Sequence, residues 1–391
     1  MAPVQPAPCS IEPPRWVGAD GPRGANSSVE AGFAGSADPW VVWLENDGAQ
    51  LAVLDPFGHV VRVPAGSGEA QAVWVAPVDT HFAIVVVTEQ RERAQFHRVF
   101  TAADGHIVER FVHRRGRDAS LGLDAVVTRS HVVLAWDERQ PAPSTGAAVV
   151  LQSLEIAAVR SAPGPLVAPV VTAITPPEHD ASDPVLAVRG DGTLVLAWLA
   201  ARNIEDVISN ATPTDVWVRA LSPAGRATGA PQLVSPGPGN RYAAGLLSVG
   251  NSMWLTYRVA GDADVESVGD GGSVAVFVLG SDLRPQASPV YVSARDANPS
   301  GETVLLPDAT GVSVFWTERA GDTLVTWRRT VDVNGLLTRV GRSEPVAEGR
   351  LPRAGDAQQP VFLALDASGR IGVARASCPA IVQRVADAGT P

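Results

Sequence analysis

The stretch DPVLAVRGDGTLVLAWLA at 183–200, followed by DVWVRALSPAG at 215–225 and APQLVS at 230–235, decides the fold class. Two apolar runs, rich in Val and Leu, flank the turn signal Arg189-Gly-Asp-Gly192. Each is too short for a stable helix, lacks helical periodicity and ends in turn residues, which is the signature of paired strands. A third run and a short fourth follow in order. The unit therefore reads as a sheet of four antiparallel strands.

Working outward, the second run recurs as WVVWLE at 40–45, FAIVVVTE at 82–89, HVVLAWDE at 131–138 and VSVFWTER at 312–319. Aligning the aromatic near its end gives Trp43, Val87, Trp136, Trp198, Tyr257, Trp316 and Arg375, at intervals of 44 to 62 residues. Repeats of that length point to propellers or solenoids. A four-stranded sheet has two apolar faces and must stack on neighbours to bury both, and radial repetition provides that. The expectation is all-β: a seven-bladed β-propeller of four-stranded antiparallel blades, with six blades as the rival count. All of 1–391 is read as a single propeller domain, with 1–30 as a lead-in and closing strand and 31–391 as blades. The last unit is read as VFLALDASG, RIGVARAS and CPAIVQRV, without a fourth strand. IEPPRWVG near the N-terminus is expected to supply it and close the ring, which removes exposed sheet edges.

The two cysteines, Cys9 and Cys378, lie close to opposite ends of the chain. A disulfide between them fits that closure and implies an oxidising compartment; two unrelated thiols are the alternative. For so long a loop the chain-entropy model gives about 5 kcal/mol. The N-terminus lacks the charged and apolar regions of a signal peptide, and no run of 18 apolar residues exists.

Composition excludes several chemistries. All 31 basic residues are arginine, so Schiff-base lysines and the lysine of a phosphate-binding loop are absent. A net charge of −10 argues against a nucleic-acid partner. The seven histidines show no zinc-binding spacing.

The pattern Pro-x-Val-Ala-x-x-x-Asp-Gly-x-x-Val-Val-x-Trp, carried best by 183–235 and more weakly by 296–348 and 118–139, resembles a propeller repeat of bacterial secreted and surface proteins. The resemblance implies a propeller exported to the periplasm, outer surface or exterior. The Arg-only, Ala/Val/Gly-rich composition looks like that of a high-GC bacterium. The sialidase Ser-x-Asp-x-Gly-x-x-Trp box is missing.

Four units carry a glutamate two residues after the aligned position: Glu45, Glu89, Glu138 and Glu318. They form either a functional acidic ring or a repeated structural pairing. A residue repeated around a ring generally serves the blade. The repeated Asp-Ala signals, such as Asp180 and Asp356, suit Asx-turns opening the first strand. Blades three to five have long excursions at 139–146, 200–214 and 259–272, and long loops on a rigid scaffold are where binding is placed. Glu138, Arg139, Arg202, Glu205, Asp206, Tyr257 and Arg258 are therefore candidate ligand-binding residues; a solvated acidic rim is the alternative. Asp262, Asp264, Glu266 and Asp270 resemble a calcium loop in charge density, although Ser267 stands where the sharp-turn glycine belongs. No catalytic set and no cofactor other than calcium is indicated. Binding to a protein or glycan at a cell surface is the expected function. A polysaccharide hydrolase or lyase with paired carboxylates in the channel, or a structural subunit of a surface assembly, are the alternatives.

Overall fold

The computed structural model describes residues 9–17, 29–34, 38–45, 48–65, 70–89, 93–100, 107–114, 123–140, 146–161, 172–201, 214–235, 241–260, 272–294, 299–309, 311–321, 323–332, 344–348, 351–365 and 371–378. Among them are six antiparallel sheets of four strands, each made from one continuous stretch of chain. They span Val29–Pro64, Ala70–Arg114, Leu123–Ala173, Asp180–Leu233, Arg241–Tyr291 and Pro299–Glu348, here blades one to six.

The second strands explain the long apolar runs. Successive side chains of a strand point to opposite faces, and here both faces are buried. Leu194, Leu196, Trp198 and Ala200 pack toward blade three, while Val195, Ala197 and Leu199 pack toward blade five. In the same way Val41 and Trp43 face one neighbour and Trp40, Val42 and Leu44 the other. Apolar clusters of this kind fill the interface between each pair of adjacent sheets. The first strands are innermost and touch one another in sequence around a central channel.

The expected seven blades of four strands are not found; the rival count of six matches the regular sheets. The chain's ends together make an antiparallel sheet of five strands between blades six and one. From the inside outward it runs Pro352–Gly355, Pro360–Leu365 and Ile371–Ser377, and the N-terminal Ser10–Ile11 and Arg15–Val17 both pair with the last. The closing role of IEPPRWVG is thus observed. The strand assignment beside it needs correcting. RIGVARAS is the third strand, not the second, and the innermost strand, PRAG at 352–355, escaped notice because it carries no apolar run. Arg375 does not occupy the aligned aromatic position; it pairs opposite Val361 and binds Asp38. The one helix among the described residues is a short turn at Ile156–Ser161.

Cys9 and Cys378 are disulfide-bonded across 369 residues of sequence. Their sulfurs lie in an apolar cluster with Phe315, Phe362 and Ala376. Asp38 of blade one binds both Arg15 of the N-terminal strand and Arg375 of the C-terminal one. Replacing both cysteines with serine is expected to cost about 2–5 kcal/mol, read as a lower urea midpoint. An unchanged midpoint would show that the ends hold together without the bond.

Candidate functional site

The repeated glutamates resolve into structure. Residues i and i+2 of a strand share a face, so each glutamate lies beside the indole that precedes it. Trp43 Nε1 donates to Glu45 Oε1 at 2.8 Å, Trp136 Nε1 to Glu138 Oε2 at 3.0 Å, and Trp316 Nε1 to Glu318 Oε1 at 2.6 Å. Buried Glu45 also accepts two hydrogen bonds from the guanidinium of Arg62, at 2.8 and 3.1 Å. The carboxylates satisfy indole N–H groups that would otherwise be buried without partners, so in these three the repeat makes a structural pairing within one strand. Glu138 is thereby a blade element. The side chain of Glu89 lies outside the described set.

The other candidates divide. Arg139 is exposed at the end of its strand. Tyr257 is buried beside Arg241 and Asp215; burial holds its hydroxyl far above the ordinary range, so it stays protonated and is not a nucleophile. Arg258 donates to the Pro299 carbonyl at 2.9 Å and lies over the Tyr242 ring, strapping blade five to blade six. Arg202, Glu205, Asp206, Asp262, Asp264, Glu266 and Asp270 fall outside the described residues. Among the described residues no His, Cys, Asp or Glu group is placed to hold a metal ion. The Asp-Ala signals differ from one another: Asp356 accepts from the Gln358 and Gln359 N–H groups as an Asx-turn, whereas Asp180 lies within a strand and accepts from Ala147 of blade three at 2.6 Å.

What sequence reading missed lies in the channel. A cavity of about 690 Å³ is lined by the inner strands of blades one to four, including Glu30 and Asp124. Nearby, Arg353 Nη1 lies 3.0 Å from Glu302 Oε2 and 3.9 Å from Glu30 Oε1. Strand register places these groups at one level. Glu30 follows Val29, which faces Trp43; Asp124 follows Leu123, which faces Trp136; Glu302 precedes Thr303, which faces Trp316. Glu302 and Arg353 each sit where the register skips a residue, and Gly301 supports the first of these bulges at φ 71°. Asp183, at the same level of blade four, is held in the left-handed region at φ 50°.

The environments of these carboxyls differ. Burial pushes Glu30 up to about 7, against the opposing pull of Arg353, with Glu302 and Asp124 adding to the rise. Asp124 is also raised by burial, opposed by hydrogen bonds from the Leu186 and Ala125 N–H groups at 2.6 and 2.8 Å. Glu302 is more open and is paired with Arg353. One carboxyl that keeps its proton up to neutrality beside another held as an ion pair is the arrangement that supports acid–base work.

Blade four departs from the rule of its sister blades. Two residues after Trp198 stands Ala200, so no carboxylate meets the indole. Trp198 Nε1 is buried without a partner, and so is Nδ1 of His179, whose ring lies 6.2 Å from Trp198 and 4.4 Å from Trp217. Each such orphan costs about 1–3 kcal/mol. Burial lowers the pKa of His179, which is therefore neutral at pH 7.

No family model matches the chain, and no curated protein matches it in sequence. Among solved structures it is similar to the α-L-arabinanase of Penicillium chrysogenum complexed with arabinobiose, at 10% identity and a TM-score of 0.48 over 95% of this chain and 98% of that one. It is similar to a streptogramin B lyase at 10% identity and 0.49, over 95% and 98%. It is also similar to the SapL1 lectin in complex with α-methyl fucoside at 10% and 0.42, over 78% and 93%. At these values the likenesses say nothing of what this chain binds.

Two outcomes follow from these environments. Glu45→Ala leaves Trp43 and Arg62 without their buried acceptor and is expected to destabilise by about 2–4 kcal/mol in urea melts; a change within experimental error would remove the carboxylate's structural role. Glu30 is raised in the folded state, so its contribution to stability is present below its ordinary pKa of 4.5 and is lost as pH rises toward 7. Glu30→Gln should therefore gain on the wild type in thermal melts between pH 5 and 8, and parallel curves would refute the shift.

Proposed function

We propose that the chain is an exported propeller that binds a component of a cell surface, a glycan ahead of a protein, on the face where the second strands end. The observation that carries this is the convergence of Glu30, Asp124, Glu302 and Arg353 at one level of the channel; a cavity of about 690 Å³ continues from Glu30 and Asp124 toward the turns at Arg129 and Arg189. The carboxylates that repeat around the ring are occupied with tryptophans. Glu30 and Asp124 share one position of the repeat, and with Glu302 and Arg353 they form a set whose groups differ in environment. The second strands of blades three to five end on that face, at Arg139, Ala201 and Ala260. The disulfide supports an oxidising, extracytoplasmic location, as does the resemblance to secreted and surface repeats. No helix among the described residues is long and apolar enough to cross a membrane.

A second reading draws on Glu30 alone. A carboxyl protonated up to about pH 7 near a carboxylate held by arginine suits glycosidic bond hydrolysis, with Glu30 donating a proton to the leaving oxygen.

The two readings separate in one experiment. A glycan array probed with wild type, Arg353→Ala and Glu302→Gln is expected to show binding that both variants lose, and equal binding by all three would move the site away from the channel. Chromatography of the same glycans after incubation tests cleavage. Products formed by wild type and absent with Glu30→Gln would establish the hydrolase, and intact glycans would leave a binding protein.

A further inference from the structure

We infer that blade four carries a sugar-binding notch, in which Trp217 is the stacking platform and the Trp198 indole N–H is the donor to an oxygen of a neutral sugar. The inference rests on the glycan reading of the binding face and gives it a ligand class.

Blade six supplies the comparison. Its second and third strands carry the same facing pair, Trp316 opposite Trp327, as blade four does with Trp198 opposite Trp217. In blade six the indole N–H of Trp316 is taken by Glu318. In blade four the equivalent carboxylate is missing, and the imidazole of His179 lies close by, with its centroid 6.2 Å from that of Trp198 and 4.4 Å from that of Trp217. That imidazole is a poor occupant: neutral, half-buried, and without a hydrogen bond at the one nitrogen that is enclosed. Turning it out breaks ring contacts and no hydrogen bond. An oxygen entering in its place meets a donor that the protein leaves open.

The platform is formed as well. The rings of Trp198 and Trp217 lie 15° from parallel with centroids 6.5 Å apart, Trp217 is half-buried, and the imidazole of His179 lies 4.4 Å from it, so turning that imidazole out uncovers part of the Trp217 ring. A flat aromatic face next to a hydrogen-bond donor suits the apolar face and hydroxyl edge of a pyranose. The flanking charge selects among sugars. Glu178 and Asp180 stand on either side of His179 in the chain, and Asp183 follows toward the channel. A neutral ring is accepted there, and a uronate or an acidic peptide is repelled. The other buried indole without a partner, Trp254, sits in mid-strand within an apolar cluster and has no such platform.

The notch lies at the entrance to the strand Asp180–Val188, which leads to the channel, so a chain of several sugars can occupy both.

The test is a tryptophan-fluorescence and calorimetric titration of the full chain with cello-, xylo- and manno-tetraose, tetragalacturonate and an acidic peptide. A neutral tetrasaccharide is expected to bind the wild type. Trp217→Ala should weaken that binding about tenfold or more. Ala200→Glu restores the carboxylate used in blades one, three and six. It should melt no lower than wild type and lose binding to the same extent. His179→Ala should bind at least as tightly as wild type. Glu302→Gln, which the channel reading expects to lose binding, leaves the Trp198–Trp217 pair intact; loss with Trp217→Ala alone therefore marks failure of the channel reading, and loss with Glu302→Gln alone marks failure of the notch. The inference is overturned if no neutral tetrasaccharide binds, if only the uronate or the peptide binds, or if Trp217→Ala or Ala200→Glu binds undiminished.

Discussion

Everything in this molecule depends on the burial of two faces at once. A second strand such as Leu194–Ala201 has apolar side chains on both sides, and no single sheet can cover them. Each sheet is stable only between two others, so the arrangement has to return on itself. At about 25 cal/mol per Å² of apolar surface, an uncovered face would cost more than a small sheet gains by forming. The sheet at the chain ends exists for that reason. It stands between blades six and one, where apolar residues of both would otherwise meet water.

That constraint also sorts the polar residues. Positions fixed by the repeat serve the interfaces: the Trp-x-Glu pairs, the Arg258 strap, and Asp124 bonding from blade three to the backbone of blade four. Freedom to vary remains on the inner strands at the channel and at the strand ends on one face. There the bulges of blade six and the terminal sheet bring Glu302 and Arg353 to the level of Glu30. Blade four gives up one of the shared pairs and is left with two unsatisfied nitrogens. Natural proteins depart from a local rule where function requires it, and both departures open toward the same face.

How far the sequence could be read follows from the same physics. The blades were legible because a strand buried on both faces is a continuous apolar run, and the run recurs. The meeting of the two ends was legible from Cys9 and Cys378. The innermost strand of the terminal sheet was not, because Pro352-Arg-Ala-Gly355 is short, polar and bulged, with nothing to mark it. The channel groups were missed for a related reason. Glu30, Asp124, Glu302 and Arg353 come from four separate sheets, and no spacing along the chain links them. The glutamates that did form a pattern were visible for the reason that made them structural. Ala200 was one of three positions without the carboxylate, and the sequence does not show that there it leaves a tryptophan N–H unpaired.

The placement of residues 10–17 on the outer edge of Ile371–Ser377 sets the order in which the molecule can be completed. These strands are made well before their partner, which follows about 350 residues later, so their pairing is a contact of very high sequence separation and among the slowest kind to form. Until Ile371–Ser377 is present the ring stays an open arc, and only then can Cys9 be fastened to Cys378.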